Sequence, residues 1–164
     1  MKTICIMNLK GGVGKTVTAD NMAAILAADH GKRVLLIDAD HQGNTSKFFQ
    51  AEQEADSLRD LFAETAAISV PRFVQKTAYE NLDIIAASMS LAELDALPEQ
   101  VSARVWRMRE LLEEIRKAGA YDFVIIDMPP AFSLAARASL AAADEVIVPI
   151  KLDAFSVDGM AELL

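Results

Sequence analysis

The densest chemistry in the chain sits in seven consecutive residues: Lys10-Gly11-Gly12-Val13-Gly14-Lys15-Thr16. An apolar run, Thr3-Ile4-Cys5-Ile6-Met7, precedes them and reads as a short buried strand. A stretch from Thr18 to His30 follows, with Met22, Ile25 and Leu26 among alanines, and reads as a helix. A strand, a glycine loop and a helix in that order form the setting in which backbone amides cradle phosphate. Gly11, Gly12 and Gly14 let backbone N–H groups turn inward around an anion. The helix N-terminus adds free donors and a positive dipole end. Lys15 can reach β and γ phosphates as a point charge, and the Thr16 hydroxyl can ligate Mg²⁺.

Carboxylates recur where such a loop would need them. Val34-Leu35-Leu36-Ile37 reads as a second buried strand, and it runs into Asp38-Ala39-Asp40-His41-Gln42-Gly43-Asn44. Acidic residues at the C-terminal end of a parallel strand lie where these sheets bind ligands. That places Asp38 and Asp40 beside the loop if the two strands are neighbours. A third run, Phe123-Val124-Ile125-Ile126, ends in Asp127, whose carboxylate would hold Mg²⁺ through water next to Thr16. His41 is either a phosphate contact or a solvated loop imidazole. No second histidine stands at ligand spacing, so no zinc site is expected.

The elements that must position these groups follow from composition and period. The 164 residues predict one domain over 1–164, long enough to bury a sizeable core. Hydrophobic content of 52% with only 6% aromatics makes that core aliphatic, as a parallel sheet under helices requires. Gly31 is expected to cap the first helix, and the strand–helix–strand unit is right-handed. Ser57 to Phe62 predicts a short helix begun by Asp56 or Ser57, and Pro71 is expected to break the chain. Leu82 to Ala86 reads as a strand with Asn81 at its mouth, and Leu91, Leu94 and Leu97 form a packing stripe at helical spacing.

Glu99 to Lys117 predicts an amphipathic helix whose apolar face is Val101, Val105, Met108, Leu112 and Ile115. Its arginines and glutamates make a solvated mixed-charge face, and Trp106 is expected to pack at the sheet edge. Gly119 ends that helix. An alanine-rich helix over Leu134–Ala143, a last strand over Glu145–Ile150 and a helix opening at Ser156–Met160 complete the reading.

The net charge of −8 opposes nonspecific DNA binding by the chain as a whole. The single cysteine, Cys5, is expected as a buried thiol in the first strand. No signal peptide opens the chain, and no apolar run approaches membrane-spanning length, so a cytoplasmic location is expected.

The loop departs from the strict G-x-x-x-x-G-K-[ST] pattern, because Leu9 stands at the first glycine position and Lys10 adds a second lysine. In this form, K-G-G-x-G-K-T, it resembles the deviant Walker A loop of the ParA/Soj/MinD family of ATPases. The segment Leu35-Leu36-Ile37-Asp38-Ala39-Asp40-His41-Gln42-Gly43-Asn44 is similar to that family's first switch, and Asp127-Met128-Pro129-Pro130 to its second. The family usually has proline at the position of His41 and a second threonine at that of Val17. The missing Val17 hydroxyl removes one phosphate hydrogen bond.

The resemblance implies a three-layer, doubly wound, mostly parallel sheet flanked by helices: the P-loop NTPase fold. It implies an ATP site over residues 10–17, with Mg²⁺ held by Thr16, Asp127 and, near its shell, Asp38. Asp40 would position the attacking water, and Lys10 would reach across an ATP-dependent homodimer to the partner's nucleotide. The implied role is slow, partner-stimulated ATP hydrolysis in plasmid or chromosome partition, with a ParB-like centromere-binding partner and nonspecific DNA binding left open.

A MinD-like positioning module with little catalysis is the alternative, although the acidic balance speaks against direct membrane contact. An iron–sulfur relative is disfavoured because Cys5 is the only cysteine. A small-molecule kinase is disfavoured by Lys10 and the 38–44 segment. Family members continue for several elements beyond the strand ending near Ile150, so the chain is expected to be a compact or truncated member.

Overall fold

Four short apolar runs build the centre of the sheet in the computed structural model, which describes residues 1–54, 56–96 and 104–151. They are β1 (Lys2–Ile6), β2 (Val34–Asp38), β4 (Leu82–Ile85) and β5 (Phe123–Asp127), with short edges β3 (Gln75–Lys76) and β6 (Glu145–Ile147). The strand order is β3-β4-β2-β5-β1-β6. Every neighbouring pair is parallel except β3 with β4.

Side chains alternate across the pleat and feed two apolar layers. Ile4, Ile6, Leu36, Ile84 and Ile125 face α1 (Lys15–Ala28), which contributes Ala19, Ala23 and Ala27. The small alanines let the helix backbone lie close to the strands. Cys5, Leu35, Ile37, Ile85, Val124 and Ile126 pack on the opposite face. That face is covered by α3 (Leu58–Ala63), α4 (Val70–Phe73), a 3-10 helix (Met89–Ala96), α5 (Trp106–Ala118) and α6 (Leu134–Ala142). The three-layer, mostly parallel architecture is as expected.

Several local readings need correction. The first two strands are not neighbours: β5 lies between them, pairing with β1 on one side and β2 on the other. β1 runs from Lys2 to Ile6 rather than to Met7. The first helix starts at Lys15 rather than Thr18, because Gly14, at φ 92°, turns the loop straight into it. Its cap is Asp29; Gly31 follows at φ 58°, where Lys32 N–H returns to the Leu26 carbonyl at 2.9 Å.

Pro71 sits in the first turn of α4 rather than breaking the chain, since a first-turn proline loses no helical hydrogen bond. The leucine stripe rides a 3-10 helix, with Leu91 and Leu94 buried. β6 stops at Ile147 because Pro149 has no N–H to donate. Trp106 is exposed, not packed at the sheet edge.

The apolar face of α5 is as read, with Met108, Leu112 and Ile115 buried and Leu111 added. Its charges pair along the surface, Arg107 with Glu110, Arg109 with Glu113 and Lys117 with Glu114. Cys5 is fully buried, and burial pushes its thiol up to about 12. Leu97, Val101, the start of the helix at Glu99 and the helix at Ser156–Met160 lie outside the described residues. Among the described residues no helix is long and apolar enough to cross a membrane.

Candidate functional site

The loop leaves the tip of β1 and is tied down at its entrance by Asn8. The Asn8 Oδ1 accepts from Lys10 N–H at 2.8 Å, and its Nδ2 donates to the Pro149 carbonyl at 2.9 Å. Gly12 at φ 72° and Gly14 at φ 92° hold a left-handed backbone that side chains resist, and no heavy atom stands within 4 Å of where their Cβ would be. The loop backbone is therefore open beside both glycines. Lys15 is buried at 7% exposure, with its Nζ donating to the Lys10 carbonyl at 3.2 Å. Burial lowers the affinity of this lysine for its proton, and the charges of Asp127 and Asp40 oppose that effect.

The loop forms one wall of a cavity of about 490 Å³ through Gly11, Gly12 and Gly14 to Val17. Asp40, Gln42, Asn44 and Pro130 form the other. A volume in the hundreds of Å³ suits a nucleotide-sized ligand. The second wall draws on both segments read as switches, so tertiary folding brings them to one place facing the loop. Lys10 and Val13 do not line this cavity, and neither do Asp38 or Asp127, which are buried. His41 stays half-exposed with its Nε2 2.8 Å from the Gln42 side-chain amide.

Asp38 and Asp127 are register partners at adjacent strand tips. They share a buried setting but not the same partners. Asp38 Oδ2 accepts from the Ser46 N–H at 2.8 Å and the Ser46 hydroxyl at 2.7 Å, while Oδ1 accepts from Asp40 N–H at 3.2 Å. Burial nevertheless raises its pKa to about 7, against those hydrogen bonds. Asp127 is raised to about 6, first by burial, and is hydrogen-bonded by Thr16 and Thr45. Its Oδ1 is buried with no hydrogen-bond partner. A buried, unpaired carboxylate oxygen beside a loop threonine is a costly arrangement in the bare protein and a ready cation ligand.

Four residues at the site were not read from the sequence: Asn8, Asp20, Thr45 and Ser46. Asp20 had a usable signal, since it lies four residues after Thr16 on a helix and so shares its face. Thr45 and Ser46 had only their place in the segment after Asp40.

A glycine loop between β1 and α1, with carboxylates at the tips of β5 and β2, is the P-loop nucleotide-binding arrangement. A family model described as AAA domain matches residues 1–164. The chromosome partitioning protein ParA of Caulobacter vibrioides is 39% identical over 166 residues, covering 100% of this chain and 61% of that protein.

Among solved structures, the Cyanothece McdA variant in complex with ATP is 27% identical, with a TM-score of 0.86. The match covers 99% of this chain and 61% of that one. Cobyrinic acid a,c-diamide synthase from Mycobacterium smegmatis, with bound ATP analogue and magnesium, is 25% identical with a TM-score of 0.85, over 99% and 65% of the two chains. The chain belongs to the AAA domain family and is ParA-like. It spans about three fifths of the length of the partitioning protein it matches.

Proposed function

We propose that the chain is the nucleotide-binding core of a ParA-like, Mg²⁺-dependent ATPase that switches to a dimer on ATP and serves plasmid or chromosome partition. The observation that carries this reading is the convergence of Lys15, Thr16, Asp40 and the unpaired Asp127 oxygen on one open glycine cradle. Similarity to a partitioning protein and to ATP-bound structures supports it.

Phosphoryl transfer to water asks a protein mainly to position groups and neutralise charge. The amides of Gly11 to Lys15 hold the phosphates, and Lys15 gives up its contact with the Lys10 carbonyl to reach them. Thr16 and Asp127 would hold Mg²⁺, which supplies charge neutralisation across the transferred phosphoryl. Among the described residues no cluster of three acidic, histidine or cysteine side chains could hold a metal unaided. A cation bound jointly by two protein groups and the triphosphate needs none. Asp38, with both oxygens already accepting hydrogen bonds, contributes charge rather than a metal bond. Asp40, on the cavity wall, orients the attacking water. Lys10 stands at the loop entrance, half-buried, and in this reading it serves the nucleotide of a second copy in the dimer.

The proposed partner is a centromere-binding protein that accelerates slow hydrolysis, in the cytoplasm, with 1–164 acting as one domain. The test is sedimentation of the chain with ATP, ADP or no nucleotide, with and without nonspecific DNA, alongside Mg²⁺-ATP calorimetry. Dimers formed only with ATP that carry DNA support partition. ATP-only dimers without DNA favour the positioning module, and no heat from Mg²⁺-ATP overturns the nucleotide reading. Lys10→Ala should bind ATP as a monomer; unchanged dimerisation and turnover would remove the role in trans.

A further inference from the structure

Thr45, fully buried on α2 (Asn44–Phe48), has one hydroxyl proton and two carboxylates in reach. Its Oγ1 lies 2.8 Å from Asp20 Oδ1 and 3.0 Å from Asp127 Oδ2. A hydroxyl donates once, so it can be committed to only one carboxylate at a time. Asp127 is also the group that a cation beside Thr16 would draw on, and charge drawn from it weakens it as an acceptor. Asp20, buried on α1 at 9% exposure, accepts this hydroxyl and does not line the cavity. The same short helix begins two residues after Gln42, whose N–H donates to Asp40 Oδ1 at 3.0 Å, so its anchorage sets where Asp40 stands.

We infer that Asp20 is a positioning residue of the nucleotide site, holding the Thr45 hydroxyl, and with it the Asp40–Ser46 segment, when Asp127 is engaged by the cation. The inference rests on the site being a Mg²⁺-nucleotide site and adds a residue that the loop and switch motifs do not contain. Asp20 works through Thr45 and touches neither phosphate nor water. Its effect therefore belongs to the loaded protein. Without ligand, Asp127 remains a second acceptor for Thr45, and Ser46 keeps its own bonds to Asp38.

The experiment is hydrogen exchange at the amides of residues 44–48 in the full chain, free and with Mg²⁺ and a non-hydrolysable ATP analogue, together with steady-state turnover. Asp20→Ala should leave exchange in the free protein near that of the parent and speed it by about tenfold in the loaded protein, the equivalent of one charged hydrogen bond. Turnover should fall by a similar factor with KM for ATP little changed, since the loop is untouched. Asp20→Asn, which keeps an acceptor oxygen, should recover most of the loss. Thr45→Val should match Asp20→Ala in the loaded state, and the double variant should be no worse than Thr45→Val alone.

Equal loosening in both states, or additive losses in the double variant, would make Asp20 an ordinary packing group and overturn the inference. A parent chain that gains no protection with Mg²⁺-nucleotide would instead defeat the underlying reading of the site. Protection in the parent that Asp20→Ala retains in full defeats the role of Asp20 alone.

Discussion

The two ends of this sheet are both polar, and they are built on opposite terms. At the C-terminal tips, Asp127 has a buried oxygen with no partner, two carboxylates compete for one Thr45 proton, and Asp38 and Asp127 are both pushed up by burial. At the other end the carboxylates are met by donors, although the buried Thr3 hydroxyl on β1 has no partner. Arg33 grips Asp122 at 2.7 Å and the Gly119 carbonyl at 2.8 Å, which holds the Asp122 carboxyl down at about 2. Asp83 Oδ2 accepts from the Tyr121 hydroxyl at 2.7 Å and from Lys76 Nζ at 2.8 Å. One end pairs its carboxylates with protein donors, and the other leaves a carboxylate oxygen for a cation and loop donors for an anion. The lesson is that unmet polar demand, concentrated where strands end, marks the ligand end of an α/β sheet more sharply than polarity does.

The largest break in this contrast should come from Lys15→Ala, which removes the buried cation of the cradle. Affinity for Mg²⁺-ATP by calorimetry should fall by about 100-fold or more, the equivalent of a buried charged contact of about 3 kcal/mol. Unchanged affinity would mean that phosphate binds elsewhere. Next, Asp40→Ala should retain binding and lose turnover by roughly 10²–10³-fold in a single-turnover assay, the scale of losing a positioned group at the reacting centre. Normal turnover in that variant would move the water-positioning role to another residue.

Asp127→Asn sharpens the comparison by separating stability from function. Removing a buried, half-paired charge should raise the melting temperature of the nucleotide-free chain, by about 2–4 °C for each kcal/mol relieved, while turnover collapses. A lower melting temperature would show that the charge is already well accommodated. Tyr121→Phe at the opposite end should do the reverse, costing about 1 kcal/mol of unfolding free energy in urea with ATP affinity unchanged.

The smallest effect belongs to the exposed Arg33–Asp122 pair. Because the Asp122 pKa is depressed from 3.8, its stabilisation is present above that pH and is lost as pH falls towards 2. Asp122→Asn should therefore flatten the acid limb of the stability curve below pH 4 without touching nucleotide binding. An unaltered acid limb would show that the pair contributes nothing.

How much of the site could be read in advance varied with the range of the interactions. Lys15, Thr16 and the glycines are local: one turn of backbone makes the cradle, so spacing alone reveals it. Asp127 and Asp38 were legible because an apolar run ending in an acid places the acid at a strand tip whatever the neighbours are. The strand order was not legible: whether β1 and β2 were neighbours stayed open in the sequence, and β5, some 90 residues further on, lies between them. Trp106 and Pro71 were misread for a similar reason. Exposure and helix phase depend on what packs opposite, and a period carries no information about that.

Sequence by itself determined the aliphatic strands, the anion-binding turn and the acids at the strand ends, since each follows from side-chain type and spacing within a dozen residues. Tertiary structure alone decided that Asp20, Thr45 and Asp127 meet, across separations of 25 and 82 residues. It also decided which oxygen is left wanting a partner. Hydrogen-bond satisfaction is a property of assembled neighbours, and in this sheet the neighbours are chosen by the crossovers rather than by the order of the chain.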